Sequence, residues 1–220
     1  QVYWMPPISS SCQRKSGNFC ILQTVQMTKM LQVCETFVSI QGETSFAGHP
    51  CYFIRLAGCN LRCRYCDTKY AWRNGRRRTM ESLVQEFKHS TLSLVEVTGG
   101  EPLIQNATCD LLAALCRQGK TILETNGSID IESVPRAVHI ILDIKTPGSG
   151  HQTQNHWRNL TQLKRKDQVK FVVCDRMDYE WSKKIMADYR LEEVCGAVNM
   201  SPTFGRLSPA TLARWIINDR

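Results

Sequence analysis

Cys59, Cys63 and Cys66 stand in the order C-x3-C-x2-C within eight residues. Thiolates are soft ligands, and three this close can wrap one metal centre. Cysteine often packs in cores, but three so near one another after a strand seldom arise for packing alone. A structural zinc site is the rival. It asks for four ligands in a closed tetrahedron, usually as two paired motifs, and only one group is present. His49 and Cys51 lie upstream, but Cys51 falls inside an apolar strand, where its side chain should pack. A four-iron cluster held by three cysteines keeps one iron without a protein ligand. Such an iron can bind a small molecule and pass it an electron.

Other residues with chemistry flank the triplet. Thr98-Gly99-Gly100-Glu101-Pro102 begins thirty-two residues after Cys66. Glycines at a strand end let bare backbone approach a ligand, and Glu101 can accept from an ammonium. Ile40-Gln41-Gly42-Glu43 precedes the cysteines and reads as a turn. Arg55 sits in an otherwise apolar strand, where a buried guanidinium needs a partner. A bound carboxylate would supply one bidentately. Asp67-Thr68 directly follows Cys66 and offers two oxygen ligands, or a plain turn. Lys145 ends a strand, where it can meet a carboxylate or point to solvent. The basic runs Arg73, Arg76, Arg77, Arg78 and Lys164, Arg165, Lys166 read as solvated faces, because a nucleic-acid footprint would interleave aromatics with them. The histidines have no metal-ligand spacing.

These residues must be positioned by regular elements. Strands are expected at 33–40, 51–56, 92–98, 120–125, 138–144, 169–173 and 195–200, from short apolar runs bounded by turn residues. Helices are expected at 80–89 behind the N-cap Thr79, at 104–118 with Gly119 as C-cap, at 154–165, at 178–190, and from Pro209 onward. Alternating strands and helices argue for a parallel α/β sheet with crossover helices. Ligands in such sheets sit at the carboxyl ends of the strands. Gly58-Cys59-Asn60, Thr98 to Glu101, Glu124 to Gly127, Asp143 to Lys145 and Asn199 to Pro202 all fall there and point to one shared site.

Composition sets the frame. The chain has 220 residues, 42% hydrophobic and 22% charged, which is ordinary for one globular domain. No apolar run is long enough to span a bilayer, so no membrane role is expected. The net charge of +8 suits anionic partners without choosing among them. Eleven cysteines, an odd number at uneven spacing, favour a reduced, cytoplasmic protein over a disulfide framework. Residues 1–29 have no clean periodicity and no secretory pattern. They are expected to be a disordered or foreign extension ahead of a core domain at 30–220.

Together the motifs resemble the radical S-adenosylmethionine (SAM) superfamily and, within it, the 7-carboxy-7-deazaguanine synthase family of queuosine and deazapurine biosynthesis. The matching segments are ETFVSIQGE, FIRLAGCNLRCRYCDT, VTGGEPL, ETNGS, DIKTPGSG, VKFVV and MSPTFG, spread from about Leu31 to Arg220. The CDT and SIQGE pieces separate it from the glycyl-radical activating enzymes. The resemblance implies a partial (β/α)6-type barrel with an N-terminal hairpin, and a homodimer. It implies that Cys59, Cys63 and Cys66 hold a [4Fe-4S] cluster whose open iron chelates SAM. Tyr65, Asp67, Gly99, Gly100, Glu101, Asn126, Asp143, Lys145 and Ser201 would bind SAM. Ile40, Gln41, Gly42, Glu43, Arg55 and Thr98 would contact a pterin substrate, and Thr68 would ligate a Mg²⁺ that also grips it. The implied reaction turns 6-carboxy-5,6,7,8-tetrahydropterin into 7-carboxy-7-deazaguanine with loss of ammonia. A flavodoxin- or ferredoxin-like donor would reduce the cluster, which would cleave SAM to a 5'-deoxyadenosyl radical. Family members carry a basic, aromatic C-terminal tail, expected to be missing here because the sequence stops at Arg220. The other readings are a glycyl-radical activase, which would need no pterin site, and a zinc-stabilised basic module that binds nucleic acid.

Overall fold

The computed structural model describes residues 28–219. The 1–29 extension expected from the sequence lies almost wholly outside them. The apolar runs form β1 (Met30–Ile40), β2 (Pro50–Leu56), β3 (Arg76–Thr79), β4 (Leu94–Gly99), β5 (Lys120–Thr125), β6 (His139–Ile144), β7 (Gln168–Val173) and β8 (Ala197–Pro202). One eight-stranded sheet holds them in the order β3-β1-β2-β4-β5-β6-β7-β8. From β2 to β8 neighbouring strands are parallel, so six parallel strands build the barrel wall. β1 runs antiparallel to both β2 and β3, which makes the N-terminal hairpin. The helices are α1 (Met80–His89), α2 (Thr108–Cys116), α3 (Arg158–Gln162), α4 (Arg176–Asp188), α5 (Leu191–Val194) and α6 (Pro209–Asn218). None among the described residues is long and apolar enough to cross a membrane.

Local chemistry explains most element bounds. The Thr79 hydroxyl accepts from the Ser82 amide and starts α1, with Glu81 in the first turn. Asp175 does the same for α4 through the Asp178 amide. The helix expected at 104–118 is shorter. Glu101 accepts from the Leu103 amide and the Thr108 hydroxyl donates to the Pro102 carbonyl at 2.6 Å, so a 3-10 turn precedes α2. Gly119 is not a left-handed cap either. It is small because a Cβ there would strike Phe87 and the Ser93 carbonyl. The helix expected at 154–165 also splits, into a 3-10 turn and the short α3. Arg76 and Arg77 are exposed, as expected of a solvated face, but together with Arg78, which pairs with Glu86, they also form β3, which covers the start of β1. In the second basic run, Arg165 donates to the Glu192 carbonyl at 2.9 Å and Lys166 to the Val138 carbonyl, so both tie loops together.

Strand alternation sorts residues onto two faces. Ile54, Val97, Leu123, Leu142, Phe171 and Val173 point outward into the main core beneath the helices. Phe53, Leu94, Ile122 and Ile141 point inward and, with Phe46 and Cys51, form a small apolar floor inside the barrel. Above that floor the inward positions turn polar: Arg55, Glu96, Thr98, Glu124, Asp143 and Lys170. The change from apolar to polar along each strand places the site.

Phe171 has no exposed surface and meets Trp181 edge-on, with ring centroids 6.4 Å apart. Phe171→Ala is expected to cost about 3–5 kcal/mol of stability. Urea denaturation followed by circular dichroism checks this; a loss below about 1 kcal/mol would contradict the assigned core.

Candidate active site

The cysteine loop leaves β2 at Leu56 and is held on several sides. Gly58 donates its amide to the Ala71 carbonyl at 2.8 Å, and Arg64 to the Ser149 carbonyl at 3.1 Å. The Arg62 amide donates to Nε2 of His151 at 3.1 Å, while its guanidinium lies over Trp72 at 4.7 Å. Cys59, Cys63 and Cys66 are free thiols that line one wall of a cavity of about 730 Å³. Burial pushes the Cys59 and Cys63 thiols up, so they give up protons when they bind a metal. Cys51 is fully buried in β2, as its apolar setting predicts, and stands apart from the triplet.

The Gly99-Gly100 turn is locked against this loop. Gly99 has φ of +139°, and a Cβ on it would strike the Leu56 backbone. A Cβ on Gly100 would strike the Gly58 carbonyl. The Gly100 amide donates to the Leu56 carbonyl at 3.1 Å and the Glu101 amide to the Gly58 carbonyl at 2.8 Å. The glycines are thus demanded by a neighbouring strand end as well as by any ligand. Glu101 differs from the expectation. It has no exposed surface, and its carboxylate accepts from the Leu103 amide, the Thr125 hydroxyl and the Asn126 amide at 3.0, 2.8 and 2.7 Å. It does not line the cavity; its oxygens are engaged in holding the loop to β5.

The other predicted residues do meet in the cavity. Tyr65, Asp67, Asn126, Asp143, Lys145 and Ser201 lie with the cysteines and glycines, and Ile40, Gln41, Gly42, Glu43, Arg55, Thr68 and Thr98 line the remaining wall. Lys145 is buried and pairs with Asp143 at 2.9 Å, rather than standing in solvent. The Tyr65 hydroxyl and Oδ1 of Asp143 are buried without a hydrogen-bond partner among the described residues. Buried polar atoms are rarely left so, and both sit where a polar ligand would meet them. Thr68 donates to Asp67 at 2.5 Å. Among the described residues no three His, Cys, Asp or Glu side chains converge on a single metal ion. Cys59, Cys63 and Cys66 nonetheless all line the same cavity, and thiolates are the ligands an iron-sulfur cluster takes.

Arg55 has a partner within the chain. Its Nε donates to Glu35, its register neighbour on β1, at 2.7 Å, so no missing counter-ion need be invoked. Its guanidinium lies 5.7 Å from the Phe37 ring and faces the cavity.

Glu96 and Lys170 went unforeseen, and Glu124, which the sequence placed at a strand end near the site, was given no role. Each interrupts an apolar strand, in LVEVTG, KTILET and QVKFVV, the same signal that marked Arg55. Lys170 donates to Glu43 and to Glu124, each at 2.6 Å. Burial alone would raise the Glu124 carboxyl, but Lys170 outweighs it and holds the group at about 2. Glu96 accepts from the Gln41 amide and is pushed up to about 8 by burial and the nearby Glu124 charge.

Residues 53–152 match the radical SAM superfamily. The fold is likewise shared with the crystal structure of QueE from Escherichia coli, at a TM-score of 0.69 and 21% identity over 86% of this chain and 91% of that one. Fold and cysteine loop define a radical SAM protein, with a [4Fe-4S] cluster and SAM as its cofactors. A 7-carboxy-7-deazaguanine synthase of Chlorobaculum tepidum is 43% identical over 194 residues, 86% of this chain and 88% of the relative. One from Koribacter versatilis is 36% identical over 205 residues, 86% and 91% of the two chains. The chain belongs to the 7-carboxy-7-deazaguanine synthase family.

The raised Glu96 carboxyl makes stability depend on pH. Its folded pKa of about 8 lies above its ordinary value of about 4.3, so its contribution is present below pH 4.3 and is lost as pH rises through 8. Glu96→Gln, which keeps the shape without the charge, is expected to raise the melting temperature above pH 8 and to change it little near pH 4. Parallel melting curves against pH would refute this.

Proposed function

We propose that this chain converts 6-carboxy-5,6,7,8-tetrahydropterin to 7-carboxy-7-deazaguanine with loss of ammonia. One observation carries the reading. The thiols and strand ends suited to a cluster and SAM line the same cavity of about 730 Å³ as the groups suited to an anionic heterocycle. When bound, the [4Fe-4S] cluster and SAM supply the radical chemistry that removes hydrogen from carbon.

The chain's own residues bind, orient and enclose. Cys59, Cys63 and Cys66 hold the cluster. The Tyr65 hydroxyl and the Asp143 Oδ1, both without a hydrogen-bond partner in the wall, serve SAM together with Asn126, Ser201 and the Gly99-Gly100 backbone. Lys145, fixed by Asp143, offers its ammonium to the SAM carboxylate. On the facing wall Arg55, steadied by Glu35 through Nε, presents its terminal nitrogens to the pterin carboxylate. Gln41, Glu43 and Thr98 accept and donate along the heterocycle edge, beside Ile40 and Gly42. Thr68 and Asp67 supply hard oxygens for a Mg²⁺ that also touches substrate. Enclosure inside a barrel mouth keeps water from the reacting carbon.

Residues 30–220 form the catalytic domain in this reading, with 1–29 as an appended segment. The enzyme works in the cytoplasm as a homodimer, reduced by a flavodoxin- or ferredoxin-like protein.

The test is anaerobic reconstitution with iron and sulfide, followed by reductant, SAM, Mg²⁺ and 6-carboxytetrahydropterin, with product read by mass spectrometry. A protein that cleaves SAM but makes no 7-carboxy-7-deazaguanine would refute the substrate. Cys63→Ala should lose cluster absorbance and all SAM cleavage; retained cleavage would refute the ligand set. Arg55→Ala should keep the cluster and raise KM about 10- to 100-fold, the value of a lost charge-assisted bond.

A further inference from the structure

β7 sends two polar side chains into the barrel, and both reach the turn that follows β1. Gln168 accepts from the Ser45 amide at 3.1 Å and donates to the Ser45 hydroxyl at 2.6 Å. One alternation higher, Lys170 donates to Glu43 of the same turn and to Glu124 on β5. The other Glu124 oxygen accepts from the Thr98 hydroxyl at 2.9 Å. Between the two anchor points Thr44 has φ of +64°, a conformation a β-branched residue adopts only where its surroundings enforce it. The turn is therefore set by its attachments to β7 rather than by its own preference.

We propose that Lys170 is a positioning residue of this site, clamping Glu43 and Glu124 together so that both present acceptor oxygens to N–H groups of the substrate. The inference rests on the synthase reading above. Charged groups face this point from every neighbouring element: Arg55 on β2, Glu96 on β4, Asp143 and Lys145 at the end of β6, and Glu43 in the turn. Arg55 is paired with Glu35 and Lys145 with Asp143. Lys170 is thus the cation that serves Glu43 and Glu124. A carboxylate only accepts, whereas a carboxylic acid also donates. Without Lys170, Glu124 would sit beside Glu96 with its nearest cation gone and would take up a proton. An N–H group of the heterocycle would then meet a donor.

Lys170→Met and Lys170→Arg, each in the reconstituted protein, test this. Lys170→Met should load its cluster normally, raise KM for 6-carboxytetrahydropterin about tenfold or more, and shift the acid limb of the kcat/KM profile to higher pH. Lys170→Arg should return the limb toward its original position. A loss that is equal at every pH, or a limb that does not move, overturns the proposal. Infrared titration of the reconstituted protein without substrate gives a reading independent of turnover. At pH 6 Lys170→Met should show one more protonated buried carboxyl than the parent, absent again in Lys170→Met combined with Glu124→Gln. An unchanged carboxyl signal also overturns the proposal. A parent that makes no product while the carboxyl signal changes as expected would overturn the substrate reading and leave the clamp standing.

Discussion

The site depends first on the close backbone approach between the ends of β2 and β4. Leu56 and Gly58 present carbonyls to the amides of Gly100 and Glu101, at distances that exclude any side chain on Gly99 or Gly100. This fixes the cysteine loop against the strand end beside it. Glu101 then extends the lock to β5 through the Thr125 hydroxyl and Asn126 amide. Three consecutive parallel strands are joined by groups that all lie beyond their ladder hydrogen bonds. Cofactor geometry needs such support, because a loop with three free thiols has no regular structure to hold it.

A second constraint acts inside the barrel. The inner face begins with an apolar floor around Phe46, Ile122 and Ile141, then turns ionic within two residues on β2, β4, β5 and β6. Buried charges are tolerable only when paired. Arg55 pairs with Glu35 and Lys170 with Glu124 from strand to strand, Lys170 also reaches Glu43 in the turn after β1, and Lys145 pairs with Asp143 at the end of β6. The Arg55 and Lys170 pairs tie one element to another while leaving polar edges toward the cavity. The groups that face the ligand also hold the wall in shape.

Much of this is legible in the sequence. The cysteine spacing, the glycine pair and the apolar runs each have a local cause, and they locate the strand ends correctly. β3 escapes notice because Arg76, Arg77 and Arg78 have no strand-like polarity pattern; it forms because β1 offers an unpaired edge at Met30 to Val33. The same nonlocal logic shortens α2, where Glu101 and Thr108 cap a turn against the periodicity of the helix. Glu96 and Lys170 could have been found, and Glu124 given a role, by the argument that found Arg55, since each is a charge inside an apolar strand. Their pairing could not. Lys170 and Glu43 are 127 residues apart, and only the curl of the sheet brings them within 2.6 Å. The bracing role of Glu101 has the same origin: sequence shows a carboxylate beside a site, and only geometry shows that its oxygens hold the loop to β5.

The charges that line the cavity make sense of a bound cation. Arg55, Lys145 and Lys170 supply three positive groups, against Glu43, Asp67, Glu96, Glu124 and Asp143. With Glu96 kept protonated by burial and Glu124, four acids still face three bases. A wall with no excess of positive charge would repel an anionic substrate unless something offset it. The sulfonium of SAM does so on the cluster side. In the proposed reading a divalent cation beside Thr68 and Asp67 would add further positive charge, in place of the hydrogen bond those two now share. Balance by a ligand rather than by another lysine has a physical advantage. A cavity whose own charges fall short of neutrality approaches balance as positively charged ligands enter, which suits the dry interior that radical chemistry needs.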